Sequence, residues 1–142
     1  MNVHLFVYGT LLSHAGHAMG ARLRRDAQLI GPATMAGRLY NLGRYPGLVE
    51  APERPIHGAN GTTPSLVHGE VYALKMPAIT LRWLDAYEGV LPLRPDQGVY
   101  ARVERLAWLN SGATLRAWVY VYLMSVRPRQ RLADGRWPPP QV

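Results

Sequence analysis

Two stretches of the chain carry groups suited to chemistry on a small molecule. The first is Leu84-Asp85-Ala86-Tyr87-Glu88-Gly89. Leu81 and Leu84 precede Glu88 by seven and four positions, so on a helix all three share one apolar face directed at the core. Gly89 places Glu88 at the helix's carboxyl end, where the macrodipole disfavours an anion. Desolvation acts in the same direction, and both raise a carboxyl pKa toward the range useful to a general acid/base. The competing reading is a structural glutamate that reaches solvent or pairs with an arginine such as Arg102. The second stretch is Val3-His4-Leu5-Phe6-Val7 running into Tyr8-Gly9-Thr10-Leu11. Val3, Leu5 and Val7 alternate with His4 and Phe6, as in a strand packed on a core, and the chain bends at Gly9. A turn of free backbone amides at the end of a buried strand is a cradle for an anionic or carbonyl-bearing ligand. The plain alternative is a turn that only ends a strand.

Other constellations lead to less. Cysteine is absent, which removes disulfides, thiolate metal sites and a cysteine nucleophile together. His14 and His17 stand one helical turn apart but lack a third ligand at a suitable spacing, so no metal site is expected. His4 and His68 read as strand histidines. The turn after Val7 is neither a P-loop, since no Gly-Lys-Ser or Gly-Lys-Thr follows, nor a dinucleotide fingerprint. Asp85 and Glu88 share one short helical turn, which counts against their facing each other across a sugar ring. Trp83, Trp108 and Trp118 read as core or sheet-face residues.

The elements that must position these groups follow from periodicity and punctuation. After the first strand, Ser13 is the expected cap of a short helix in which Leu12, Ala15, Met19 and Leu23 recur, weakened by Gly16 and Gly20. Residues 33–42 read as a strand around Gly37, ending in the turn-rich corner Gly43-Arg44-Tyr45-Pro46-Gly47. Strands are expected over 67–74, 100–109 and 115–123, the last two joined by the hairpin signal Asn110-Ser111-Gly112 and hence antiparallel. A helix runs from Pro77, a favourable first-turn residue, to Glu88. Residues 51–65, with three prolines, read as a surface excursion, and Pro138-Pro139-Pro140 makes 138–142 an extended tail. This order implies an α+β domain whose mixed sheet curls into a barrel.

A chain of 142 residues fits one domain, 1–142, with a sizeable core. No apolar run approaches the roughly 20 residues needed to span a bilayer and no signal peptide is visible, so the expectation is a cytoplasmic protein without a membrane partner. The net charge of +7 comes almost wholly from arginine, Lys75 being the one lysine. Such an excess raises a nucleic-acid-binding alternative. The arginines, however, cluster at 22–25 and 127–136 or scatter, with no aromatic-interleaved stripe of the kind a nucleic-acid groove needs, and no nucleic-acid partner is expected.

Five segments follow one another in a set order: Phe6-Val7-Tyr8-Gly9-Thr10-Leu11, Leu42-Gly43-Arg44-Tyr45-Pro46-Gly47, Val67-His68-Gly69-Glu70-Val71-Tyr72, Leu84 to Gly89, and Tyr100-Ala101-Arg102. That order resembles the gamma-glutamylcyclotransferase-like, or AIG2-like, family, from about Val3 to Trp137 and nearest its small bacterial members. The resemblance implies a small mixed β-barrel with flanking helices. It also implies a Tyr8-Gly9-Thr10-Leu11 loop that holds the glutamyl head of the substrate, and Glu88 as the acid/base. The implied reaction cyclises a γ-glutamyl amine or γ-glutamyl amino acid to 5-oxoproline, needing no cofactor and no protein nucleophile, which suits a chain without a Gly-x-Ser-x-Gly elbow. Tyr100 and Tyr122 are candidate hydroxyls lining the substrate site, with core packing as the alternative. The resemblance further implies that Trp137 packs back on the domain and that 51–65 is an insertion beside Tyr45 and Pro46. Some members lack the glutamate, so a binding module without turnover is the rival within the same fold.

Overall fold

A computed structural model describes residues 2–50 and 65–139. Five of its strands close into a barrel: β1 (Val3–Val7), β2 (Ala27–Ala36), β5 (Leu66–Leu74), β6 (Tyr100–Leu109) and β7 (Thr114–Tyr122). Around the barrel β1 pairs with β5, β5 with β2, β2 with β6 and β6 with β7, all antiparallel. A parallel contact of Leu5 with Trp118 returns β7 to β1 and closes the ring. Three short strands extend the sheet from β7: β4 (Pro46–Val49) lies parallel to it, β3 (Arg38–Asn41) is antiparallel to β4, and β8 (Arg131–Leu132) is antiparallel to β3. Two helices flank the barrel, α1 (Ala18–Asp26) and α2 (Pro77–Glu88). The fold is the small α+β barrel expected.

The period of two in the strands sorts side chains between two cores. Phe6, Met35, Val67, Val71 and Val119 fill the barrel interior, whereas Leu5, Val7, Tyr72 and Tyr120 meet Leu23 of α1 and Leu84 of α2 outside it. Both faces of β1 are therefore buried. Trp137 packs against both clusters, as the resemblance implied.

Several boundaries differ from expectation. The first helix begins at Ala18, not near Ser13: His17 is its cap and accepts a 3.1 Å bond from the Met19 amide through Nδ1. Ser13 turns instead toward β5, where Glu70 binds it. The strand expected over 33–42 starts earlier, at Ala27, and breaks at Gly37 into β2 and β3. Gly37 has φ +153, and a Cβ there would lie 2.9 Å from Leu48 Cδ2. The corner 43–47 holds the start of a strand, β4, because Gly47 lets the backbone press against Tyr122, whose Cβ a glycine Cβ would meet at 2.8 Å. By contrast α2 and the hairpin of β6 and β7 lie where the sequence places them. Of the insertion expected over 51–65, residues 51–64 lie outside the described residues, as do residues 140–142 of the tail expected over 138–142.

Candidate active site

The end of β1 and the end of α2 meet at one cavity of about 310 Å³. Residues 6–11 line one side, Ala86, Tyr87, Glu88 and Gly89 another, and Tyr45, Pro46, Val99, Tyr100 and Tyr120 complete the lining. The two sequence stretches that suggested chemistry thus face the same space.

Local backbone chemistry explains why each is there. Gly9 begins the turn because Pro46 of β4 crosses directly over it: a Cβ on Gly9 would lie 2.8 Å from Pro46 Cδ and Cγ. The Leu12 amide closes the turn on the Gly9 carbonyl at 3.0 Å. The carbonyls of Thr10 and Leu11 lie over Gly20 of α1, where a Cβ would be 3.4 Å from each. Because N–H and C=O of one trans peptide point in opposite directions, the Leu11 amide is directed away from α1. Among the described residues the amides of Gly9, Thr10 and Leu11 have no backbone partner, so they remain donors for a ligand. At the other side, Gly89 adopts a left-handed conformation, φ 73, and α2 closes with Val90 N–H on the Asp85 carbonyl at 3.0 Å. The following loop returns through Val99, whose amide donates to the Gly89 carbonyl at 3.1 Å, and so seals the base of the helix end.

Glu88 is a carboxyl without a counter-charge. Burial pushes its pKa up to about 7. Among the described residues it takes no ion pair; Arg102 pairs instead with Asp85, through Nε at 2.7 Å and Nη2 at 3.1 Å. The arginine-paired alternative for Glu88 is thereby replaced by an arginine-paired Asp85. Nor do the surrounding phenols donate to Glu88. Tyr8 OH donates to the Tyr120 carbonyl at 2.6 Å and accepts from the Leu48 amide at 3.0 Å. Tyr100 OH donates to the Pro46 carbonyl at 2.7 Å, and Tyr120 OH to Asp85 Oδ1 at 2.6 Å. Tyr87 OH shares a 2.8 Å bond with Thr10 Oγ1 across the cavity. Burial, with the nearby Glu88 charge adding to it, holds the Tyr8 and Tyr100 hydroxyls far above the ordinary phenol range, so they stay neutral.

The placement of the six residues assigned to substrate binding is therefore uneven. Gly9, Thr10 and Leu11 line the cavity, as do Tyr8 and Tyr100, whose hydroxyl protons are committed to carbonyls. Tyr122 stands outside the lining, its ring edge-on to Tyr100 with centroids 5.3 Å apart. Sequence reading missed Tyr87, Val99 and Tyr120 as lining residues and Asp85 as the anchor of Tyr120 and Arg102. For Asp85 a signal existed, its position three residues before Glu88 on the same side of the helix.

A barrel of this topology with a free carboxyl facing an amide turn defines the class. The gamma-glutamyl cyclotransferase, AIG2-like family pattern matches residues 5–139, and the chain belongs to that family. Among solved structures it is similar to an AIG2-like protein from Mus musculus, with 20% identity over 96% of this chain and 88% of that one and a TM-score of 0.65. It is similar also to a structure described as a gamma-glutamyl cyclotransferase, with 17% identity over 86% of this chain and 67% of that one and a TM-score of 0.53. YkqA from Bacillus subtilis matches with 22% identity and a TM-score of 0.65; 96% of this chain is covered but only 40% of YkqA, so the chain spans less than half of that protein. At these identities the likeness is one of fold. A search of curated proteins finds no match.

Proposed function

We propose that the protein cyclises a γ-glutamyl amine or γ-glutamyl amino acid to 5-oxoproline, releasing the free amine, with Glu88 as general acid/base. The observation that carries this reading is the unpaired, half-buried Glu88 carboxyl facing the Tyr8–Leu11 turn across one cavity. Family membership supports it.

The chemistry asks for few groups. The substrate's own α-amine attacks its γ-carbonyl carbon, forming the ring C–N bond; the tetrahedral oxyanion then collapses and the bond to the leaving nitrogen breaks. A base must take the proton of the attacking ammonium and an acid must return one to the leaving amine. A carboxyl with a pKa of about 7 is suited to both steps near neutrality. The free amides of Gly9, Thr10 and Leu11 hold the glutamyl head and keep the chain folded over, which supplies the proximity an intramolecular attack requires.

The test is Glu88→Gln assayed for 5-oxoproline release on a panel of γ-glutamyl compounds. Loss of at least about a hundredfold in kcat is expected from removal of an acid/base group. Full activity in the variant would remove Glu88 from the role. A wild type that consumes no panel member, yet is protected from heat by a glutamyl-like ligand, would leave the protein a binding module.

A further inference from the structure

We infer that Glu70 positions the substrate-holding turn by fixing it from both ends, an inference that rests on the reading of the Tyr8–Leu11 turn given above. In the ladder between β1 and β5, Glu70 is registered opposite Val7, the residue from which the turn departs. Its side chain then reaches past the turn to the residue on which it lands. Glu70 Oε1 accepts from the Ser13 amide at 2.7 Å and Oε2 from the Ser13 hydroxyl at 2.6 Å. One residue thus holds the chain before Tyr8 and after Leu12.

The geometry around it serves the same end. The neighbouring Gly69 lets β5 approach the end of β1; a Cβ there would collide with the Val7 carbonyl oxygen. On its other flank Glu70 is registered with Pro32 of β2, so its backbone belongs to the barrel wall and does not move with the turn. A carboxylate suits this task because both oxygens accept, and one short side chain can take the amide and the hydroxyl of the same residue. Between Val7 and Ser13 the turn has one internal backbone bond, Leu12 to Gly9, which leaves the directions of the Gly9, Thr10 and Leu11 amides dependent on where Ser13 is pinned. Glu70 does not line the cavity, so it acts through the turn and not on the substrate.

The experiment compares Glu70→Ala, Ser13→Ala and Ser13→Thr with the wild type in steady-state assays and in amide hydrogen exchange. Glu70→Ala is expected to raise KM on the order of tenfold while kcat changes by less than about threefold, because the turn binds the substrate and Glu88 is untouched. Ser13→Ala, which keeps the amide bond, should show a smaller rise in KM, and Ser13→Thr, which keeps both bonds, should match the wild type. An unchanged KM in both alanine variants, or a loss confined to kcat, overturns the role. Exchange decides the matter independently of turnover. If no γ-glutamyl compound is consumed by the wild type, the cyclotransferase reading fails alone. Faster exchange at Leu12 and Ser13 in the alanine variants, with α2 unchanged, then upholds the positioning role, and unchanged exchange there overturns it.

Discussion

Arg102 grips Asp85 with two nitrogens, at 2.7 and 3.1 Å, and leaves Glu88, three residues further along the same helix, without a partner. The pair ties α2 to β6, and Arg102 also stacks over Trp118 of β7 with its guanidinium 4.6 Å from the ring centroid. Asp85 in turn receives the Tyr120 hydroxyl, which fixes one wall of the cavity. Two carboxyls of similar sequence context and similar exposure therefore do opposite things: one is neutralised and holds the helix in place, the other lines the cavity without a partner and is raised in pKa.

Replacing Arg102 with Met should expose this division. The Asp85 charge, no longer balanced, disfavours ionisation of nearby Glu88, so the Glu88 pKa should climb further above its value of about 7. The pH profile of kcat/KM should shift to higher pH in the variant. A stability loss of about 1–2 kcal/mol should accompany it, modest because the side chains of the pair are 24% and 25% exposed. An unshifted profile would show that Asp85 is electrostatically separate from Glu88.

For the wild type, a base must be ionised to accept the ammonium proton, so kcat/KM should rise with pH through about 7 and level off above it. A profile that rises near pH 4.5, where an ordinary glutamate titrates, would place the required ionisation on another group.

The same raised pKa makes a stability prediction of opposite character. Glu88 is an acid whose folded-state pKa, about 7, lies above its unfolded value of 4.5. Between these values the native state binds more protons than the unfolded chain, so stability is full below about pH 4.5 and falls as pH rises through 7. Glu88→Gln removes the desolvated charge, and at pH 8 the variant should be more stable than the wild type by about 1–3 kcal/mol, a gain that vanishes near about pH 4. Denaturant titrations at the two pH values measure the difference. A variant less stable than wild type at pH 8 would mean that ionised Glu88 makes favourable contacts.

How far the site could be read from sequence depends on whether local chemistry or long-range register decides it. Pro77 at the start, Gly89 in a left-handed close and the Leu81, Leu84, Glu88 face are local, and α2 falls where they predict. The hairpin of β6 and β7 is likewise carried by Asn110-Ser111-Gly112. β4 could not be found this way, because Pro46-Gly47 is turn chemistry by composition and becomes a strand only beside Tyr40, Asn41 and Val121. The partners of the tyrosine hydroxyls are hidden from sequence for the same reason. Whether Tyr8 meets a ligand or the carbonyl of Tyr120, 112 residues away, is set by how the barrel closes. Ser13, a good cap by type, is drawn off by Glu70, a contact no local rule contains.

Tyr8→Phe should separate the structural from the catalytic part of the Tyr8–Leu11 turn. The ring stays and continues to line the cavity, but the Tyr120 carbonyl loses a donor and the Leu48 amide loses its acceptor. Both groups lie in the join between β7 and β4, where the parallel pairing is a single registered position, Leu48 with Val121. Because Leu48 and Tyr120 are buried, at 1% and 4% exposure, water does not replace the lost bonds. The cost should be about 1–3 kcal/mol, seen as a lower denaturant midpoint with an unchanged slope. Turnover per folded molecule should fall only a few-fold, since Glu88 and the amides of Gly9 to Leu11 are untouched. A collapse of kcat of a hundredfold or more in well-folded Tyr8→Phe would instead make the Tyr8 hydroxyl a proton-transfer or oxyanion group, in conflict with its committed bonds.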